Sequence, residues 1–327
     1  MARPLLRLCE GRRCSRVGRV ITTADEQVVL SNLGWVDRGS IWRYNHATRR
    51  QDRIPISDGS YLRLTPSDSA ESVTIQHGPS GRSAVSVHML ASLQDPVVRV
   101  DVVGWTANVS GDLDAFRGHQ RLHVSYLDDD VTGAAGYFLI EVGTRDVRVR
   151  RLDWFDDKKY DHMYQSVMSV LELPSGEYLF GLQRSSELVL CDPASLAVIR
   201  EVPLAGRHGN PIPFLRNHRS ELWAVDYDTV VRLDVDTLVV EDQWLGQPPA
   251  TDGTRMFLGS AWMPRSEQEI LVARPGMADV VALNPNSMQI GRLWRTGREP
   301  LTVATVGTQL VARDWKTGDL LLGKEAS

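Results

Sequence analysis

The chain has 327 residues, and its 37 Lys and Arg against 41 Asp and Glu leave a formal net charge of −4. That balance excludes a general electrostatic binder of nucleic acid, while leaving room for a local basic patch. With 42% hydrophobic and 24% charged residues the composition is that of a globular protein, and nine tryptophans stand out in it.

The start, Met1–Glu10, holds no apolar stretch of signal-peptide length. The longest uncharged run, Pro300–Ala312, is shorter than the roughly 18 residues of a membrane span. The expectation is a cytoplasmic protein without a membrane partner. Cys9, Cys14 and Cys191 cannot all pair within one chain, so no disulfide framework is implied.

Short apolar runs separated by turn residues then follow one another along the chain. Pro4–Leu8 is the first candidate strand. Val28–Leu30, Ser40–Tyr44, His46–Thr48 and Arg53–Ile56 compose one unit. Val73–Ile75, Val85–Leu90 and Val97–Val103 compose a second, and Leu122–Tyr126, Tyr137–Ile140 and Val147–Leu152 a third. The most legible unit is Ser166–Gly206. Its strand a is Val167–Leu173, followed by the turn Pro174-Ser175-Gly176 and strand b, Glu177–Leu182. After Gln183–Ser186 come strand c, Glu187–Cys191, the turn Asp192–Leu196, and strand d, Ala197–Gly206.

The same grammar recurs. Glu221–Val225, Val230–Leu233 and Val239–Leu245 are strands b, c and d about the turn Asp234–Leu238. Glu269–Ala273, Val280–Leu283 and Gln289–Trp294 repeat them about the turn Asn284–Met288. The C-terminus supplies three strands, Leu301–Val306, Gln309–Arg313 and Asp319–Leu322. The three turns share the form Asp/Asn-x-x-Ser/Thr-Leu/Met, in which the first side chain closes on its own backbone. Starting at Asp192, Asp234 and Asn284, they recur after 42 and then 50 residues.

A period in the forties with four strands per unit is propeller-blade spacing. The predicted fold is therefore all-β, a single seven-bladed β-propeller domain over 1–327 with four-stranded blades. Its ring closes when the N-terminal strand Pro4–Leu8 completes the C-terminal blade, which removes two exposed sheet edges. A two-sheet β-sandwich is the alternative architecture.

Trp244 and Trp294 each lie six residues after the turn Leu or Met, with Val202 at that place in the preceding unit. Matching register marks them as packing between blades. Trp42 and Trp223 lie within strands and read the same way, and Trp154 and Trp262 flank strand ends. Trp35, Trp105 and Trp315 fall near loops and are the candidates for an exposed stacking surface.

The unit strand–Pro-Ser-Gly–strand–strand–Asp-Pro-x-Ser-Leu–strand over Ser166–Gly206 resembles blades of the YVTN and quinoprotein-like seven-bladed propellers. That superfamily includes cell-surface repeats and enzymes such as the virginiamycin B lyase group. The resemblance implies a fold, and propellers host binders, lyases, hydrolases and scaffolds alike.

In such a fold the d–a and b–c loops gather at one mouth of the central channel. The d–a segments there, Trp105–Phe116 among them, bring His208 and Glu299 as candidate acid/base residues, in places comparable to those of the lyase-like propellers. Asp161, His162 and Asp252 are the candidate ligands for a divalent metal, and Arg255 and Arg298 the candidate anion-binding residues. No Gly-x-Ser-x-Gly elbow, Rossmann glycine pattern or phosphate loop is present. The leading expectation is a binding or interaction module that engages a small molecule, carbohydrate or protein partner at the channel mouth. The alternative is a metal-assisted lyase or hydrolase at the same place.

Overall fold

The computed structural model describes residues 19–22, 28–32, 40–55, 63–66, 72–77, 82–89, 92–103, 105–110, 121–127, 135–141, 146–152, 154, 167–182, 187–204, 211–216, 220–226, 229–246, 269–306, 308–314 and 316–326. No α-helix occurs among them, and successive strands pair antiparallel through short connections.

The first sheet is β1 (Arg19–Thr22), β2 (Val28–Asn32), β3 (Ser40–Asn45) and β4 (Arg50–Pro55), in that order. The second is β5 (Arg63–Pro66), β6 (Ser72–His77), β7 (Arg82–Met89) and β8 (Ser92–Val103), and the third β9 (Trp105–Ser110), β10 (Arg121–Leu127), β11 (Ala135–Glu141) and β12 (Asp146–Arg151). The fourth is β13 (Val167–Glu172), β14 (Tyr178–Leu182), β15 (Glu187–Cys191) and β16 (Val198–Pro203). The fifth is β17 (Ile212–Arg216), β18 (Glu221–Val225), β19 (Thr229–Leu233) and β20 (Val240–Leu245). The remaining strands are β21 (Ile270–Arg274), β22 (Asp279–Asn284), β23 (Gln289–Arg295), β24 (Pro300–Val306), β25 (Gln309–Asp314) and β26 (Leu320–Glu325). They form one six-stranded sheet in the order β21-β22-β23-β26-β25-β24.

First strands meet first strands around the molecule. β1 lies beside β5, β5 beside β9, β9 beside β13, β13 beside β17, and β24 beside β1. Each sheet extends outward from that line by hairpins, which is the radial arrangement of a β-propeller. Burial follows the radius: β14 is buried at every residue, whereas the outer strand β20 alternates half-buried and exposed.

The core consists of layers between neighbouring sheets. Period-2 alternation divides each strand between two layers. In the fourth sheet Val170, Phe180 and Val189 face Leu152 at the end of the third, with Trp154 edge-on to Phe180 at 5.9 Å. Leu171, Leu179, Leu188 and Val202 face Leu222, Ala224 and Val231 of the fifth. Trp223, with Trp244 beside it, packs on Val272 and Val281, while Trp294 packs between Ala282 and Val303. Trp42 and Tyr44 of the first sheet pack on Ala304, Val306 and Val311 of the last. Trp42, Trp223 and Trp244 are thus inter-sheet residues, and Trp294 packs between the β21–β23 and β24–β26 halves of the last sheet.

The three predicted turns form, with a backbone feature the sequence reading did not contain. Leu196, Leu238 and Met288 all adopt left-handed backbone, at φ 64°, 55° and 54°. That conformation costs an L-residue about 1–2 kcal/mol. It is held because the fifth residue's N–H donates to the first residue's carbonyl, at 2.8 Å from Leu238 to Asp234. The Asp234 carboxylate also accepts the Thr237 N–H and hydroxyl, both at 2.6 Å. Burial of the three side chains between sheets offsets the backbone cost.

The same turn occurs at two further places. Asn45 accepts the Thr48 N–H at 2.9 Å ahead of left-handed Arg49, and Asp314 accepts the Thr317 N–H at 2.7 Å ahead of left-handed Gly318. His46–Arg49 is therefore a turn, and the segment His46–Thr48 of the first unit joins β3 to β4.

These turns make a paired prediction. Arg49 is exposed, so Arg49→Gly removes only backbone strain and raises stability by about 0.5–1 kcal/mol. Leu238→Gly removes the same strain but opens the core, and lowers stability by about 2–4 kcal/mol. Denaturant midpoints of the two variants move in opposite directions.

Candidate functional site

Hairpin turns alternate between the two ends of a blade. The β18–β19, β21–β22 and β25–β26 turns therefore share one end of the molecule with the loops that connect sheets. This end is the predicted binding face, and hydrogen bonds accepted by buried aspartates fasten its parts together.

Arg274 and Asp279 close the β21–β22 turn with two bonds of 2.7 Å, and their side chains are 9% and 1% exposed. Between them the 3-10 turn Pro275–Met277 carries the exposed Met277 outward. The same Arg274 donates to the Gly246 carbonyl at 3.2 Å, catching the chain as it leaves β20. Asp279 also lies opposite Arg295, so the turn stands beside the loop that leaves β23. There the Thr296 hydroxyl donates to the Ala278 carbonyl at 2.8 Å.

Asp314 does comparable work in the last sheet. One carboxylate oxygen accepts the Lys316 and Thr317 N–H groups, at 2.9 and 2.7 Å, and the other accepts the Glu299 N–H at 3.2 Å. The Lys316 ammonium donates to the Glu299 carboxylate at 2.5 Å, and Arg298 is paired with Asp319. The Thr317 hydroxyl first, and then Arg298, hold the Asp319 carboxyl below the ordinary aspartate range. Asp226 in the β18–β19 turn is buried as well. Beneath the Asp314 turn, fully buried Arg313 lies 5.3 Å from the Trp42 ring centroid and donates to the Gly318 carbonyl at 2.6 Å.

Of the residues singled out from the sequence, Arg298 and Glu299 stand on this face as expected of a d–a segment. Both are engaged in ion pairs within the last sheet. Trp105 opens β9, opposite Leu127, so it belongs to an inner strand and its placement in a d–a loop is corrected. Its run pairs along β10, which satisfies its backbone as a loop would not. His208, Arg255, Asp161, His162, Asp252, Trp35 and Trp315 lie outside the described residues, as do Pro4–Leu8, Trp262, Cys9 and Cys14. Among the described residues no group of three His, Cys, Asp or Glu is gathered for a metal. Sequence reading missed Asp226, Asp279 and Asp314. The recurrence of Asp just after strand b, in Ala-Val-Asp226 and Ala-Arg-Asp314, is the signal that could have found two of them.

No known protein family and no curated protein matches the chain in sequence. Its fold is similar to the crystal structure of the Myceliophteria thermophila Cps50 (Swd1) β-propeller domain. The TM-score is 0.68 at 12% identity, over 93% of this chain and 94% of that one. Similarity of this kind extends to 1004 solved chains, so it defines an architecture rather than a task. The protein is a β-propeller, and no helix among its described residues is long and apolar enough to cross a membrane.

Two outcomes check the face. Asp279→Ala strands a buried guanidinium and lowers stability by about 3–5 kcal/mol, whereas Arg274→Met with Asp279→Leu costs less. Because the Asp319 carboxyl is depressed, its contribution is whole above about pH 4 and is lost as pH falls further. The stability of Asp319→Asn therefore changes less between pH 5 and pH 3 than that of the parent, by denaturation at each pH.

Proposed function

We propose that this chain is one seven-bladed propeller domain that engages a protein partner at the face carrying the sheet-connecting loops. Five blades are the four-stranded sheets; β21–β23 and β24–β26 belong to the other two. On the side away from β25, Leu320–Gly323 of β26 meet no described strand, and that stretch suits Pro4–Leu8, whose apolar residues would complete the last blade and close the ring, in keeping with the YVTN and quinoprotein-like grammar of the turns.

The observation that carries the functional reading is the fastening of that face. Arg274 with Asp279, and Asp314 with Glu299, fix loops that would otherwise be ordered only on binding, and such preorganisation lowers the entropy cost of association. The fixed loops present the exposed apolar tip Met277 and the exposed Arg298 and Lys316, each paired with a carboxylate. Met and Arg favour protein contacts. Against the lyase or hydrolase reading stands the use of Glu299 as a brace: its carboxylate meets Lys316 and its amide meets Asp314.

The test is partner capture by the purified chain from lysate of the source cells. Arg298→Glu with Lys316→Glu should weaken capture about tenfold or more, while Ile199→Glu, on the outer strand β16, leaves it unchanged. Equal loss from both variants, or none from the double reversal, would sink the reading. Turnover abolished by His208→Ala and Glu299→Gln would establish the enzyme instead.

A further inference from the structure

The outer edge of β23 already accepts a strand in this molecule. The C-terminal end of the chain leaves β25 and runs antiparallel to β23, with Glu325 opposite Trp294 and Lys324 opposite Arg295. The Ala326 N–H donates to the Leu293 carbonyl at 2.8 Å. Gly323 permits this crossing, since a Cβ there would lie 2.5 Å from Leu310 Cδ2 and 3.0 Å from Trp294 Cβ. The strap reaches only Leu293. Ahead of it on the same edge lie Gln289–Arg292, all exposed, with no described strand beside them.

That edge has a single sign of charge. Gln289–Arg295 contains Arg292 and Arg295 and no acidic residue, with Ile290 exposed near its start. Arg292 lies over the Trp294 ring at 4.9 Å and is paired with Glu269. Glu269 first, with Glu325 of the strap adding to it, holds the Arg292 guanidinium firmly charged. The strap thus supplies an acid beside a basic edge. The other outer strands with described side chains differ. β16 carries both Arg200 and Glu201 and ends in Pro203, β4 ends in Pro55, and β20 is acidic, its Glu241 and Asp242 both beside Arg232. Proline blunts a sheet edge, and β23 has none.

We infer that the outer edge of β23 is a docking site for an extended, acidic segment of a partner protein. The segment adds to the sheet by backbone pairing, with its carboxylate beside Arg292 and Arg295. The unpaired backbone groups supply affinity and the arginines supply selection. The strap Lys324–Ala326 is the site's internal competitor. It acts at the high effective concentration of a tethered ligand. The site lies on the outer edge of β23, which adjoins the loop face only at Arg295, opposite Asp279, and it stands or falls separately from the proposed function.

The probe is a labelled peptide of the chain's own residues 320–327, titrated by fluorescence anisotropy. It is offered to the full chain and to a chain ending at Gly323. The shortened chain should bind it about tenfold more tightly, because the tethered competitor is gone. Arg292→Glu with Arg295→Glu in the shortened chain, or a peptide with Glu325→Lys, should each weaken binding about tenfold. Hydrogen exchange should slow at residues 289–295 on binding. Arg298→Glu with Lys316→Glu should have no effect. Equal binding to both chains, no binding to either, indifference to the charge reversals, or protection on β26 instead of β23 would each overturn the site. If the shortened chain does not fold, full-length Lys324→Pro, which breaks the strap's pairing, takes its place with the same expected gain.

Discussion

The fourth and fifth sheets of this protein each have two apolar faces and can bury neither alone. That constraint governs the rest. Phe180 and Leu179 are neighbours in β14, yet one enters the layer shared with the third sheet and the other the layer shared with the fifth. Each layer depends on two sheets, so the loss of one sheet exposes the faces of both its neighbours. The chain of layers returns to its start where Trp42 and Tyr44 meet Ala304, Val306 and Val311. Burial of a large side chain is worth about 1.5–3 kcal/mol. The aromatic residues at these junctions are therefore strong single contributors to the packing between strands. Trp223 and Trp294 fill layers that smaller side chains would leave open.

Because the hydrophobic layers run the length of the strands, the ends of the sheets are left to polar chemistry. Buried charge there is tolerated because it is paired and hydrogen-bonded. Arg274 meets Asp279 through two bonds and reaches the chain leaving β20. Asp314 divides its two oxygens between its own turn and the loop ahead of β24. These carboxylates make the rim continuous with the core.

Legibility in the sequence followed the range of the forces involved. The turns at Asp192, Asp234 and Asn284 could be read because an Asx side chain, a hydroxyl and an apolar plug act within five residues. The turns at Asn45 and Asp314 use the same bonds but end on Arg49 and Gly318, which break the apolar pattern. The inner strands β1, β5, β9 and β17 escaped notice. At four to six residues, with Arg19, Arg63, Asn108 and Arg216 among them, they carry too little alternation to stand out. Their pairing partners decide their conformation.

The sequence by itself determined the strand-rich class, the blade grammar from Ser166 onward, and the register that sends Trp244 and Trp294 into the packed layers. All of these arise from side-chain periodicity and turn chemistry, which are local. Tertiary structure alone decided that Arg313 lies over Trp42, that Glu299 braces a neighbouring turn, and that Gly323 lets the last strand cross to β23. Arg313 and Trp42 are separated by most of the chain, and no local preference brings them together. Packing of the first sheet on the last does so, where Trp42 and Tyr44 meet Ala304, Val306 and Val311.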